Sequence, residues 1–367
     1  MNADVAIVGA GPGGSTLAAL LAARGVDVAL IDRDTLPRDK VCGEFLSYDA
    51  LPVIERLGVD LSGVPQIRRC RVVARSRIYE FEFPHAARGV SRLLLDALLF
   101  RTAGEHGARL YSDMTVTSLD ELSARVVVGA WGRWSRFDKQ LGRAFVRERS
   151  HRSFGFKRHY RGSPNDEAID LYSFDRGYLG VSDIEDGVTN ICGLVDASRL
   201  AGHTGRWDSL VEAIRQEEPR LDSVYSAHEP VQEGFLSSNP VIFRARCPVE
   251  GGVFMIGDAS GVIDPLTGNG MAMAIESALL VAPFIMRVLA HPEQRTDVER
   301  AYSAAHAAMF GPRIAWSRRV AMLLSRPALL NASLSAVRGP RAGAFLLRRT
   351  RGARDTVARL TDAWFAS

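Results

Sequence analysis

Two glycine-rich runs carry most of the chemistry this sequence can do. Gly9-Ala10-Gly11-Pro12-Gly13-Gly14 follows the apolar run Val5–Val8. Far along the chain, Gly257-Asp258-Ala259 leads into Asp264-Pro265-Leu266-Thr267-Gly268-Asn269-Gly270. In the first run Gly9 closes a tight turn, Gly11 lets the backbone approach a pyrophosphate, and Gly14 lets the next helix pack on the sheet. The free amides at that helix start then face phosphates. Asp32, with Arg33 beside it, ends the apolar run Val26–Ile31 about 20 residues past the glycines, where an acid grips ribose hydroxyls.

In the second run Asp258 follows the strand-like Gly252–Ile256 and is placed to accept a hydrogen bond from a ribityl hydroxyl. The loop through Pro265, Gly268, Asn269 and Gly270 opens a helix at Met271. Its amides would face the pyrimidine end of an isoalloxazine and stabilise negative charge there. A dinucleotide gripped at both ends of the chain reads as FAD. Pro265, Gly268, Asn269 and Gly270 then form the flavin-facing loop.

The elements that position these residues can be read from periodicity. A helix over Ser15–Arg24 is rich in Ala and Leu and stops at Gly25, which suits a left-handed cap. Several segments alternate apolar with polar residues, as strands of a sheet with one wet face do: 69–74, 78–83, 153–160, 168–174, 177–182 and 189–195. The fold class is α/β: a Rossmann-type FAD-binding domain, an inserted, mainly antiparallel β substrate domain and a helical C-terminal segment. The FAD-binding domain is discontinuous, over 1–65, 88–145 and 248–290. The substrate domain takes 66–87 and 146–247, with a helix over Arg206–Arg215, and everything after 291 is helical.

The stretch Gly257–Gly270, together with Arg38-Asp-Lys-Val-Cys-Gly-Glu44, resembles the FAD-dependent oxidoreductases related to geranylgeranyl reductases. Those share the p-hydroxybenzoate hydroxylase fold of the group A flavin monooxygenases. Ser91–Leu99, with Arg92 and Asp96, is similar to the superfamily's arginine-bearing helix that touches FAD. The resemblance implies that Cys42 lies on the segment lining the dimethylbenzene side of the flavin. It places Tyr178 on the strand that meets substrate. One departure stands out. Where group A hydroxylases carry an Asp-Gly element that helps to bind FAD and NAD(P)H, this chain has Trp131-Gly132. NAD(P)H is therefore an open candidate for the electron donor.

Three reactions compete on such a scaffold, since the flavin does the hard step and the protein supplies position and exclusion of water. Halogenation in this superfamily uses a lysine; here only Arg75 and Arg77 stand nearby, and the Trp-x-Trp-x-Ile-Pro element of tryptophan halogenases is absent. Hydroxylation of a hydrophobic aromatic or polyketide-type small molecule is the leading expectation. Reduction of carbon–carbon double bonds in an isoprenoid or other lipid-like substrate is the alternative, weakened by the missing aromatic and proline signature of prenyl reductases. A non-catalytic electron carrier is the third. Lys157 and His159 alternate along a strand and read as solvated sheet positions, and Cys42 reads as a buried, inert thiol.

Composition bounds the rest. At 367 residues, 47% hydrophobic and 24% charged, the chain is an ordinary globular protein. Its four cysteines show no CxxC spacing, so a metal site is not expected and a reducing, cytoplasmic setting is. The apolar first strand begins too early for a signal peptide. Residues 311–360 hold eleven arginines against the single acid Asp355, a net charge of +10 in a chain of +4. Amphipathic runs among them (320–324, 328–330 and 344–347) suggest either a helical cap with a solvated arginine face or a peripheral contact with an anionic inner-membrane face. Nothing in that segment resembles a nucleic-acid motif.

Overall fold

The computed structural model describes residues 2–74, 77–148, 152–203, 205–336, 349–351 and 354–366. Arg75, Arg338, Arg341, Arg348 and the apolar run 344–347 lie outside the described residues.

The chain opens with β1 (Asn2–Val8), α1 (Pro12–Ala22) and β2 (Val28–Ile31), and β1 and β2 pair in parallel. Helix α1 ends two residues before the expected Arg24, and Gly25, at φ +75°, turns the chain into β2. Three strands of a second sheet follow: β3 (Phe45–Leu46), β4 (Gln66–Ala74) and β5 (Arg77–Gly89), with the short α2 (Leu51–Arg56) between β3 and β4. Ser91 then caps α3 (Arg92–Glu105) by accepting from the Leu94 amide at 3.0 Å. The chain returns to the first sheet with β6 (Arg109–Tyr111) and β7 (Ser123–Gly129), and ends this stretch on α4 (Arg136–Gln140).

The second sheet resumes with β8 (Ser153–Gly162), β9 (Ala168–Phe174), β10 (Gly177–Ile184) and β11 (Val188–Asp196). Three helices come next: α5 (Ala197–Gly202), α6 (Trp207–Glu217) and α7 (Pro219–Ser226). Helix α6 is the helix expected over Arg206–Arg215. Among the described residues the second sheet has nine strands, all antiparallel except β4 against β9. Its outer face buries Phe156, Leu179, Val181 and Ile191 against Leu210 and Ile214 of α6 and Leu221 of α7. Its inner face turns toward the first sheet, and alternation along each strand sets which side chains look that way.

Short strands β12 (His228–Pro230) and β13 (Leu236–Ser237) edge the second sheet, and β14 (Arg244–Ala245) leads back to β15 (Val249–Glu250) and β16 (Val253–Met255) of the first. The first sheet then runs β15-β16-β7-β1-β2-β6. After β17 (Gly261–Val262) comes α8 (Gly270–Ala290), which starts one residue before the expected Met271. Helix α8 is long and apolar enough to cross a membrane by length and composition, but 67% of its most apolar stretch is buried in the fold.

Among the described residues the C-terminal region is helical, as expected, in α9 (Arg295–Leu324), α10 (Pro327–Ala336) and α11 (Arg354–Ala366). One face of α9 packs behind β16 and β17: the Tyr302 hydroxyl donates to the Met255 carbonyl at 2.8 Å, and His306 Nε2 lies 2.9 Å from Ser260 Oγ. Burial pushes the His306 pKa down to about 4, so the ring is held neutral.

Candidate flavin site

A cavity of about 510 Å³ opens between the C-terminal ends of β1, β2 and β7 and the inner face of the second sheet. The glycines of the first motif shape its floor. A Cβ on Gly14 would stand 1.9 Å from the Gly9 carbonyl oxygen, and Gly9 holds φ +111° with its own Cβ position 2.4 Å from the Ala130 oxygen. Both positions require glycine. At Gly11 the nearest atom to a built Cβ is Arg92 Nη2 at 3.6 Å, so the missing side chain leaves a slot bordered by a guanidinium. Arg92 is locked in place by Asp96, with Nε at 2.8 Å and Nη2 at 2.7 Å from its two oxygens. This is a cradle for a pyrophosphate: backbone amides at the start of α1 with a fixed arginine across from them.

Asp32 is buried and ties the ends of β1 and β2 together. Its Oδ2 accepts from the Ala10 amide at 2.7 Å and its Oδ1 from the Asp34 amide at 3.0 Å. Arg33 reaches the cavity with an exposed side chain near Asp34. At the far end Gly257, Asp258, Pro265, Gly268, Gly270 and Met271 all border the cavity. Gly268 has φ +60°, and a Cβ there would come within 2.6 Å of the Phe45 ring; Gly270 faces open space. These residues fit FAD: small backbone positions where the cofactor needs close approach, amides at two helix starts, and acids at Asp32 and Asp258.

The loop is expected to act through its backbone, and the Asn269 side chain has a separate task. That side chain does not face the cavity but is fully buried behind the loop. There Oδ1 accepts from Arg313 Nη2 at 2.9 Å and Nδ2 donates to the Thr350 carbonyl at 2.6 Å. An amide with two good partners away from the flavin has no reason to turn toward it. Asn269 holds the loop; it does not touch what the loop faces. Gly14 likewise supports α1 rather than lining the cavity.

Trp131 fills the place of the missing aspartate by packing. Its ring lies over Gly129, where a Cβ would stand 2.6 Å from it, and against Phe137 at 5.0 Å between centroids. Nε1 donates to Asp138 at 3.3 Å, and Asp138 is itself paired with the buried Arg143 at 3.0 Å. Nearby, Arg246 Nη1 donates to the Arg133 and Asp258 carbonyls at 2.8 and 3.1 Å, tying the two sides of the cavity mouth.

The reactive side chains converge on the inner sheet face. The Tyr178 hydroxyl donates to Asp264 Oδ1 at 2.7 Å, and burial pushes the Asp264 pKa up to about 6, moderated by that bond and by the Leu266 amide. Cys42 borders the cavity, and the Glu44 amide donates to its sulfur at 3.4 Å. Burial raises its pKa, with Arg92 opposing, so the thiol stays protonated. Cys192, facing the same space, is raised in the same way.

Beneath Cys42 lies a charged cluster that the alternation pattern misassigned to solvent. Glu44, at φ +53° and fully buried, accepts from Lys157 Nζ at 2.7 Å and from the Arg92 amide at 2.9 Å, and its other oxygen lies 2.7 Å from His159 Nε2. Lys157 also bonds Asp39. Burial disfavours the Lys157 charge, but Glu44 and Asp39 more than offset it and hold the ammonium above its ordinary range. Asp39, Glu44 and His159 stand close enough to hold a cation, and the Lys157 ammonium is the cation in contact with two of them. A non-glycine residue in a left-handed conformation, locked by buried charges next to a cavity thiol, marks a place the fold holds under strain.

Residues 2–68 match the FAD binding domain family. Together with the glycine cradle, that match assigns the cofactor as FAD. The N-terminal segment is an FAD-binding domain. The flavoprotein is 28% identical over 370 residues to the menaquinone reductase of Mycobacterium tuberculosis, covering 90% of this chain and 86% of that protein. Its fold is that of a geranylgeranyl bacteriochlorophyll reductase-like protein from Thermoplasma acidophilum, with a TM-score of 0.75, 17% identity and 100% and 97% of the two chains covered. It also matches the myxobacterial chondrochloren halogenase, with a TM-score of 0.74, 19% identity and 99% and 97% covered.

Proposed function

We propose that this flavoprotein reduces carbon–carbon double bonds in an apolar, isoprenoid-type substrate. The observation that carries this reading is the placing of protonated donors: the Cys42 thiol and Tyr178, whose hydroxyl is bonded to the buried Asp264, border the same cavity as Pro265, Gly268 and Gly270. FAD, once reduced, supplies a hydride. The second carbon of the double bond then needs a proton, and Cys42, kept neutral by burial, holds one on the cavity wall. Tyr178 is oriented by Asp264.

Sequence alone leans to hydroxylation of an aromatic or polyketide compound, and the same cavity would serve that reaction. Two observations move the balance. Hydroxylation assigns no task to thiols beside the flavin loop, and the similarity over 90% of the chain is to a protein named for reducing a lipid quinone. An electron carrier has no use for a cavity that extends across the second sheet.

We also propose a peripheral contact with an anionic lipid surface, through exposed Met322 and Leu329 and the exposed Arg318, Arg319 and Arg326 at the α9–α10 elbow.

The deciding experiment is an anaerobic single turnover. The holoprotein is reduced, mixed with geranylgeraniol, and followed by flavin absorbance and product mass. Reoxidation without oxygen, with two hydrogens gained by the product, is expected. No anaerobic reoxidation, with an oxygen atom gained in air on phenolic compounds, establishes hydroxylation instead.

A further inference from the structure

Four ionisable side chains are buried together behind the flavin-facing loop. Glu276 of α8 and Asp49, in the turn between β3 and α2, are fully buried, and Arg313 of α9 and Arg351 are 5% and 8% exposed. Arg313 Nη1 donates to Glu276 Oε2, and Nη2 donates to Glu276 Oε1 at 3.2 Å while standing 3.6 Å from Asp49 Oδ2. The same Nη2 donates to Asn269 Oδ1 at 2.9 Å, which ties the cluster to the loop itself. Arg351 lies close enough to Asp49 for their charges to interact. The other helices packed on α8 add no charge here. Helix α1 has no ionisable side chain over Pro12–Ala22, and α2 and α11 turn Glu55, Arg56, Asp355, Arg359 and Asp362 to solvent.

With both acids ionised the cluster is neutral, two guanidinium groups against two carboxylates. The two acids also face each other closely enough to hydrogen-bond. Carboxylates only accept, so that bond needs a proton on one of them. Burial pushes the Glu276 pKa up to about 7, with Arg313 opposing and Asp49 adding to the rise. Near neutral pH the cluster therefore passes readily between zero charge and +1. Glu276 lies six residues, about 9 Å, along α8 from Gly270, where the helix starts beside the flavin-facing loop. Charges about that far apart in a poorly screened interior change a proton affinity by about tenfold.

We propose that Glu276, paired with Asp49 and clamped by Arg313, is a redox-linked proton site that takes up a proton when the bound FAD is reduced. Two electrons and one proton reduce the flavin and leave one negative charge at its pyrimidine end. A second proton, from solvent, settles on the Glu276 carboxylate, and the cluster's +1 then faces that negative charge through the loop. The electrons come from the reductant supplied. The proposal requires bound FAD and is independent of what the reduced protein goes on to reduce.

The test measures the flavin midpoint potential of full-length, FAD-loaded protein anaerobically against a reference dye, from about pH 5 to about pH 10. The slope of potential with pH counts the protons taken up. The parent is expected to take up about half a proton per FAD more than Glu276→Gln between about pH 7 and 8, and almost none more at about pH 5.5 or 9.5. FAD content and melting temperature are the controls. A merely structural role would move those and leave the slopes parallel. Parallel slopes overturn the proposal, even where the variant melts lower. If Glu276→Gln sheds its FAD, Asp49→Asn decides. Without the Asp49 carboxylate Glu276 loses a neighbour that raises its proton affinity, so the extra uptake should move to lower pH. Extra uptake that stays at the parent's pH overturns the proposal.

Discussion

Arg313 of α9 donates to the Asn269 side chain at 2.9 Å while the same guanidinium clamps the carboxylate of Glu276 on α8. The loop that faces the flavin is thus held from behind by the helical C-terminal region. Burial pushes the Glu276 pKa up to about 7, with Arg313 opposing, so this pair stands close to the limit of what its surroundings tolerate.

Removing one partner of a buried pair leaves the other charge uncompensated, which costs about 3–5 kcal/mol. Arg313→Met is expected to lower stability on that scale. The double variant Arg313→Met/Glu276→Met should regain only part of it, because the buried Asp49 carboxylate, 3.6 Å from the Arg313 guanidinium in the parent, loses that partner as well. Both should release FAD faster than the parent, since Asn269 has lost an anchor in each. Thermal melts and FAD release followed by fluorescence separate the two effects; a double variant that holds FAD as the parent does would refute the anchoring role.

Two glycines of one motif should fail in different ways. Gly11→Val has space for its Cβ, so the protein should fold and melt as the FAD-free parent does, and purify without yellow colour. Gly14→Ala places a methyl 1.9 Å from the Gly9 oxygen and should cost about 1–3 kcal/mol of stability before any question of cofactor arises. Circular dichroism melts and the visible flavin band check both, and a yellow Gly11→Val protein would place the pyrophosphate elsewhere.

Asp264 gives a pH signature. Its folded pKa, about 6, is above the unfolded value near 3.8, so the folded state binds the extra proton. Its stabilising contribution is therefore complete below about pH 4 and is lost as pH rises through 6, on the order of 3 kcal/mol in all. Asp264→Asn keeps an acceptor for Tyr178 and Leu266 but cannot ionise. The stability difference between parent and variant should slope from pH 4 to about 6 and be flat above 7, by chemical denaturation. Parallel curves across that range would show that the carboxyl is not buried as described.

The glycine motifs, Asp32 and Arg92 were legible because each acts locally, within one strand–turn–helix or one helix start. Lys157 and His159 were not. Alternation correctly put them on one face of β8, but their partner Glu44 lies 113 and 115 residues away, and periodicity cannot say whether a face meets water or a buried acid. Asn269 sits at the right place in its motif with its side chain turned the other way, because Arg313 and Thr350 come from a region with no motif. The arginines between 311 and 360 divide in the same manner: Arg313 and Arg351 are buried in the cap, while Arg318, Arg319, Arg326 and Arg359 are exposed.

That division governs how a membrane contact can be tested. Deleting residues 311–367 would strip Arg313 from Glu276 and Arg351 from the Phe45, Tyr48 and Phe83 rings, so lost binding would report unfolding. Met322 and Leu329, 59% and 51% exposed, make a cleaner target. An apolar pair flanked by arginines should partition to an anionic surface through both area and charge, and the charge part should weaken with salt. The parent is expected to sediment with vesicles containing phosphatidylglycerol at low salt and to leave them as salt rises. It should ignore pure phosphatidylcholine. Met322→Glu/Leu329→Glu should keep its FAD and its melting temperature and lose vesicle binding several-fold. A parent that never binds, or a double variant that binds as well as the parent, would leave the arginine face as solvated surface and no more.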